Sequence, residues 1–432
     1  MKIAIAGYGL EGEENYNYWA AQDEHDITIV DENPRPSRAL PDGVPTLLGP
    51  DVFEQLDGFD MVIRTAGVSP YKIKTNGKIW SATNEFFEKS PAKIIAVTGS
   101  KGKGTTASMI ASIMEAAGKK VWLVGNIGVS ALKVLDEIGS EDIVIFEASS
   151  FQLWDLERSP HAAVVLFIEP EHLNVHKDMA DYVNAKAHIR MFQTDNDLCV
   201  YHPTNQYAHQ IAQLTTKGRM VRYAIADDGG VYERDGLFLQ RTDIICPTDA
   251  VQVIGAHNIE NACAAITLVL EYDATISADA IEKGLRAFMG LTHRLKFIRE
   301  VNGARYYDDS IATTPSSAIA ALRSFNQQKV IILGGSSKGS DFLPLAKELL
   351  HHDVRVLLIG DEATTIAAAC EQVGFKQYEI ITYPDMTTIV MRARDLAIPG
   401  SVVLLSPASA SFGLFKDYVD RGNQFIAVVE KL

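Results

Sequence analysis

Three stretches of this chain share one pattern: a lysine, a mostly apolar run rich in isoleucine and valine, then glycine. They are Lys2-Ile3-Ala4-Ile5-Ala6-Gly7, Lys93-Ile94-Ile95-Ala96-Val97-Thr98-Gly99 and Lys329-Val330-Ile331-Ile332-Leu333-Gly334-Gly335. A continuous run of this kind predicts a strand buried on both faces, as in a parallel sheet covered by helices. Segments with apolar residues three or four apart follow, such as Thr105 to Ala117 and Leu343 to Leu350, and predict those helices. Strands alternating with helices argue for doubly wound α/β layers.

Pro91 marks a boundary before the second run. Val301-Asn302-Gly303-Ala304-Arg305 reads as a hairpin turn near a second boundary. The division expected is 1–92, 93–300 and 301–432: a Rossmann-like first domain, a central phosphate-loop sheet and a Rossmann-like last domain. Residues 218–250, with turns at Asp227-Asp228-Gly229-Gly230 and Asp235-Gly236, read as antiparallel strands attached to the central domain. The chain has 432 residues, enough for several hydrophobic cores without disulfide or metal staples. Cys199, Cys246, Cys263 and Cys370 are widely spaced and form no CxxC pair, so they are expected as small buried hydrophobes in a reducing cytoplasm. A formal charge of −15 argues against nucleic-acid or anionic-membrane partners. No apolar run reaches the ~18 residues of a membrane span, and the short N-terminal run reads as a strand rather than a signal peptide.

The strongest local signal is Gly99-Ser100-Lys101-Gly102-Lys103-Gly104-Thr105-Thr106, set between a predicted strand and a predicted helix. Glycines let successive N–H groups turn toward phosphate oxygens, and the helix N-terminus adds partial positive charge. Lys103 would place an ammonium on the β- and γ-phosphates. The spacing departs from G-x-x-x-x-G-K-[ST], because Gly104 follows Lys103 and moves the Mg²⁺-holding hydroxyl to Thr105. The competing reading is a glycine-rich turn with solvated lysines. Glu147 ends the predicted strand Asp142–Phe146, where a carboxylate either holds Mg²⁺ or is merely solvated. Near the N-terminus, Gly7-Tyr8-Gly9-Leu10-Glu11-Gly12 with Asp31 after the next strand has the form of a dinucleotide fingerprint. Alone it would suit any diphosphate nucleotide, and it keeps an NAD-dependent oxidoreductase open. Asn258 and Asn261 lie one helical turn apart, so their amides share a face suited to adenine and ribose, or to helix capping.

Taken together, these motifs resemble the Mur ligase superfamily. Thr98 to Thr105 is similar to its ATP loop T-G-T-N-G-K-[ST]-[ST], with a glycine after the lysine as in the folylpolyglutamate synthetase branch. Gly125-Asn126-Ile127-Gly128 resembles G-N-I-G. Glu147-Ala148-Ser149-Ser150-Phe151-Gln152-Leu153 resembles E-[LA]-S-S-F-Q-L of the glutamate-adding branch. Glu171-His172-Leu173-Asn174 resembles D-H-[ML]-D, and Gly255 to Ala265 resembles G-x-H-N-x-x-N-x-x-A-A. Gly290 to Leu295 resembles G-L-x-H-R-x, and Leu405 to Ser411 resembles L-S-P-A-x-A-S.

The resemblance implies a cytoplasmic, monomeric enzyme of peptidoglycan precursor synthesis, and so a part in cell shape and division. It implies ATP-dependent ligation of glutamate, the D-isomer favoured, to UDP-N-acetylmuramoyl-L-alanine through an acyl-phosphate. Thr105 and Glu147 would hold Mg²⁺, and His172 and a carbamylated Lys186 a second Mg²⁺. Asn258, Asn261, Arg294 and Asp309 would join Gly99 to Thr106 around ATP. Gly7, Gly9, Leu10, Gly12, Asp31, Thr65, Gly67, Asn126 and Ser149 would meet the UDP-linked substrate. Thr313, Lys338, Ser411, Phe412 and Tyr418 would meet glutamate. Asn174, Ile311, Thr314 and Ser337 depart from the family pattern. Addition of L-glutamate or another amino acid, and an ATP-binding protein with a dead ligase site, stay open as alternatives.

Overall fold

The three apolar runs become the central strands of three sheets. In the computed structural model, which describes residues 1–22, 25–226, 229–337, 339–382 and 385–432, β1 (Lys2–Ala6), β2 (Asp26–Asp31), β3 (Thr46–Leu48), β4 (Met61–Arg64) and β5 (Lys78–Ser81) form a sheet in the order β3-β2-β1-β4-β5. All its pairings are parallel. A second parallel sheet contains β6 (Lys93–Thr98), β7 (Val121–Gly125), β8 (Ile143–Glu147), β9 (Ala162–Val165), β10 (Leu198–Tyr201) and β11 (Arg219–Arg222), in the order β11-β10-β9-β6-β8-β7. β1 and β6 each lie where the strand order reverses, so the loops at their carboxyl ends open into the crevice where α/β sheets bind ligands.

A small antiparallel sheet follows: β12 (Val231–Arg234), β13 (Leu237–Gln240) and β14 (Asp243–Pro247). The antiparallel reading of 218–250 holds for these strands but not for its first part. β11 pairs parallel with β10 and extends the central sheet, because the Gln206–Ala212 helix connects them as a crossover. Asp227 and Asp228, expected in a turn, lie outside the described residues.

The last sheet has the order β15-β16-β20-β17-β18-β19, from β15 (Lys296–Val301), β16 (Ala304–Asp308), β17 (Lys329–Gly334), β18 (Val354–Ile359), β19 (Tyr378–Ile380) and β20 (Val402–Leu405). The expected hairpin joins β15 to β16, and Asn302 and Gly303 both take positive φ, 52° and 80°, as the tight turn requires. Both faces of this sheet are covered by apolar clusters, one around Ile331, Leu333 and Leu358, the other around Val330, Ile332 and Phe425.

Contacts divide the chain into two units: Met1–Gln252 with Ala256–Phe288, and Val253–Gly255 with Met289–Leu432. All four cysteines are free and buried, as composition suggested. Among the described residues no helix is long and apolar enough to cross a membrane.

The helix behind the phosphate loop, Lys103–Ala116, packs against the Ala278–Ala287 helix through Gly284. A Cβ at Gly284 would lie 2.4 Å from Ile113 Cα, and the Gly284 carbonyl accepts the Ser112 hydroxyl at 2.7 Å. Gly284→Ala must push two backbones apart. It is expected to destabilise the first unit by about 1–3 kcal/mol, read as a lower urea midpoint.

Candidate functional site

Gly99 to Gly102 leave β6 as a tight loop, with Gly99 at φ 154° and Gly102 at φ 84°. The Ser100 N–H donates to Phe167 O at 2.9 Å, and the Ser100 hydroxyl donates to Glu169 O at 2.9 Å and lies 3.0 Å from the Tyr182 hydroxyl. The loop is thereby pinned to the segment after β9. Lys103 folds back: its Nζ donates to the carbonyls of Gly99 at 3.1 Å and Ser100 at 3.0 Å. Lys101 pairs with Glu171 at 2.6 Å on the exposed rim. Gly104, Thr105 and Thr106 are buried in the first turn of the Lys103–Ala116 helix, and the Thr106 hydroxyl has no protein partner. Asn261 closes the other side of the loop. A Cβ at Gly102 would lie 2.4 Å from its Oδ1, and its amide donates to Asn258 Oδ1 at 3.0 Å.

β8 runs beside β6 with Glu147 opposite Val97, so Glu147 reaches the same end of the sheet. Its carboxylate is buried, and Oε2 has no hydrogen-bond partner. A buried, unpartnered carboxylate oxygen beside a phosphate-type loop is what a nucleotide-bound divalent cation would satisfy. The Asn126 N–H donates to Glu147 O at 2.9 Å, which places the turn after β7 at this edge. Ser149 caps the Ser150–Leu153 helix in a capping box with Gln152, so its hydroxyl has a local structural role.

A helix lysine is exposed by default, but Lys186 is not. It is 1% exposed, and its Nζ donates to Gly99 O at 2.9 Å, beneath the phosphate loop. Burial, reinforced by the nearby Lys103 charge, holds its amine well below the ordinary lysine value. His172 is half-exposed at φ 58°, a backbone conformation that non-glycine residues rarely adopt. Its ring lies 4.9 Å from the Phe151 ring, and burial lowers its basicity.

In the first sheet, Gly7 and Gly12 approach so closely that a Cβ on Gly12 would lie 2.1 Å from Gly7 O. Gly9 precedes the Leu10–Ala20 helix and Leu10 is exposed. Asp31 accepts the N–H groups of Tyr8 at 2.6 Å and Asn33 at 2.7 Å, so it braces this loop. Thr65 donates to Ala6 O at 3.0 Å, while Gly67 faces open space.

In the second unit, Arg294 is exposed, and Asp309 is buried with its carboxylate accepting Ser406 Oγ at 2.7 Å and the Leu295 N–H at 3.1 Å. Burial pushes the Asp309 carboxyl up to about 7. Thr313 is half-buried, Ser411 is buried, and Phe412 and Tyr418 are exposed. Lys338 lies outside the described residues.

Residues 97–269 match the Mur ligase middle domain, and residues 293–409 match the Mur ligase glutamate ligase domain. Among curated relatives, UDP-N-acetylmuramoylalanine–D-glutamate ligase of Clostridium tetani (strain Massachusetts / E88) is 34% identical, over 90% of this chain and 87% of that one. The chain belongs to the Mur ligase family. A relative with the same name from Clostridium kluyveri is 32% identical and spans 100% of this chain and 97% of its own. MurF from Acinetobacter baumannii shares the Mur ligase fold at 18% identity, with a TM-score of 0.63 over 86% of this chain and 85% of that one.

Two residues of this Mur ligase escaped the sequence reading. Arg64, at the end of β4, is 1% exposed and makes a two-pronged ion pair with Asp155, at 2.7 and 2.9 Å. It also donates to Thr65 O, Val68 O and Phe151 O, so one guanidinium shapes both the 65–68 loop and the turn after β8. Its signal was a cation ending an apolar strand. Arg421 is fully buried and donates to the carbonyls of Ser310, Ser409 and Ala410, joining the 308–313 segment to the 405–411 segment. Its signal is a basic residue in the family-like stretch that continues past Ser411 to Gly422.

Proposed function

We propose that this Mur ligase joins glutamate, the D-isomer favoured, to UDP-N-acetylmuramoyl-L-alanine at the expense of ATP. The observation that carries the reading is the pairing of a phosphate-type loop around Lys103 with the buried, unpartnered Glu147 oxygen at the same sheet edge. The names of the sequence relatives point the same way. In the proposed reaction the alanyl carboxylate of the UDP-linked substrate attacks the γ-phosphorus, and the γ–β bridging bond breaks to release ADP. The glutamate amine then attacks the acyl-phosphate carbonyl, loses a proton and expels inorganic phosphate. Lys103 and the N–H groups of the loop neutralise charge on the transferring phosphoryl group. The remaining work is positioning.

Glu147 and Thr105 fit a Mg²⁺ ion shared with the ATP phosphates. Among the described residues no cluster of three His, Cys, Asp or Glu side chains forms a metal cage, in keeping with an ion held largely by phosphates and water. When bound it would supply charge neutralisation at the phosphates. His172 and Lys186 are the candidates for a second ion. Carbamylation of Lys186 would turn a buried amine into an anion suited to that role. The domain roles follow: 1–92 for the UDP-linked substrate, 93–300 for ATP and 301–432 for glutamate, in a cytoplasmic monomer.

The test is phosphate release from ATP and Mg²⁺ with UDP-N-acetylmuramoyl-L-alanine and each glutamate enantiomer separately. Release with the D-isomer is expected. Release only with L-glutamate reverses the stereochemical assignment, to which Ile311 and Thr314 are the relevant departures. No release with either ends the ligase reading.

A further inference from the structure

His202 directly follows β10, at the end of the central sheet where the phosphate loop lies. Its side chain is 7% exposed, and Nε2 is 2.8 Å from Glu260 Oε1. The Thr204 N–H donates to Nδ1 at 3.3 Å. Nδ1 is therefore the acceptor nitrogen, and Nε2 carries the proton that the Glu260 carboxylate accepts. The imidazole is held edge-on by two rings, Phe167 at 5.2 Å and Tyr223 at 5.5 Å. Phe167 is the residue whose carbonyl accepts the Ser100 N–H. Glu260 stands in the Ala256–Tyr272 helix between Asn258 and Asn261, and Asn261 packs against Gly102. Contacts thus run from Ser100 through Phe167, His202 and Glu260 to the asparagine pair, and return to the loop at Gly102.

The first turn of a helix lacks intrahelical partners for its N–H groups and is its weakest part. Here that turn carries Asn258, Glu260 and Asn261 open the next turn, and the His202–Glu260 pair ties this end of the helix to the end of β10. We infer that His202 and Glu260 are positioning residues for the nucleotide: they hold Asn258 and Asn261 against the phosphate loop in the orientation that ATP meets. The inference rests on ATP binding at this loop. Neither residue type at its position belongs to the motifs that carried the sequence reading, except that Glu260 fills an unspecified place between the two asparagines.

The test compares His202→Phe, Glu260→Ala, the double variant and His202→Gln in the full-length chain. Phenylalanine keeps the ring packing and removes the donor; glutamine restores an N–H donor. The KM for ATP is expected to rise about tenfold in His202→Phe and Glu260→Ala, with kcat within about twofold and the KM for the UDP-linked substrate unmoved. The double variant should be no worse than either single one, and His202→Gln should recover most of the loss. An unchanged KM for ATP in both single variants overturns the inference. So does a parallel loss in every kinetic constant together with a lower melting temperature, which would mark a purely structural pair. If the wild-type chain shows no turnover, ATP binding by titration calorimetry separates the two claims. Weaker ATP binding in His202→Phe then supports the positioning pair while the reaction assignment falls, and unweakened binding removes the pair as well.

Discussion

Lys103→Ala is expected to lower turnover by on the order of 10²–10³-fold while leaving the unfolding midpoint at the wild-type value. The two halves of this expectation have separate causes. The Lys103 ammonium donates to the carbonyls of Gly99 and Ser100 at 3.1 and 3.0 Å. Both residues are buried, but Gly99 O keeps a second donor, Lys186 Nζ at 2.9 Å, so the fold loses little. The charge that develops on a transferring phosphoryl group has no such substitute, because the side chain is the cation the loop itself supplies to it. Lys103→Arg should not restore activity, since a planar fork cannot occupy a cradle shaped for a compact ammonium. Steady-state phosphate release and a urea melt on the same preparations check both halves. Full activity in Lys103→Ala would remove the loop from the chemistry.

The second large effect is on stability. Asp155→Ala leaves the Arg64 guanidinium buried without its carboxylate, which is expected to cost about 3–5 kcal/mol. Arg64 is 1% exposed and Asp155 18%, so solvent screens this pair far less than it screens a surface pair. Replacing both partners with apolar residues, Arg64→Met with Asp155→Leu, should cost less than Asp155→Ala alone, because no charge is then stranded. The three carbonyls that Arg64 also serves, on Thr65, Val68 and Phe151, would still lose their donor, so some cost persists. Urea unfolding of the two variants and the parent gives the comparison. An Asp155→Ala chain within about 1 kcal/mol of wild type would contradict the account of Arg64 as a clamp.

The motifs that could be read along the chain are those whose function depends on local spacing. Gly99 to Thr106 declared itself because a strand, a glycine turn and a helix are consecutive. The Asn302-Gly303 turn was legible for the same reason. What escaped depends on partners far away in sequence. Nothing near Arg64 announces Asp155, and nothing near His202 announces Glu260. Lys186 looks like any helix lysine until the fold places the end of β6 over it. The error at Arg219–Arg222 has a similar origin: four residues of a strand do not encode whether their neighbour runs parallel, and the short Gln206–Ala212 crossover helix decided it. Several residues assigned by resemblance carry structural duties in this chain, Ser149 as a helix cap and Asp309 as an acceptor for Ser406 and Leu295.

The central claim is that the alanyl carboxylate is activated by the γ-phosphoryl group of ATP before glutamate attacks it. The most direct measurement uses UDP-N-acetylmuramoyl-L-alanine labelled with ¹⁸O in its carboxylate, ATP, Mg²⁺ and D-glutamate, with mass analysis of the released phosphate. Each released phosphate is expected to carry one labelled oxygen, the other being retained in the new amide. Phosphate released without label would contradict the claim.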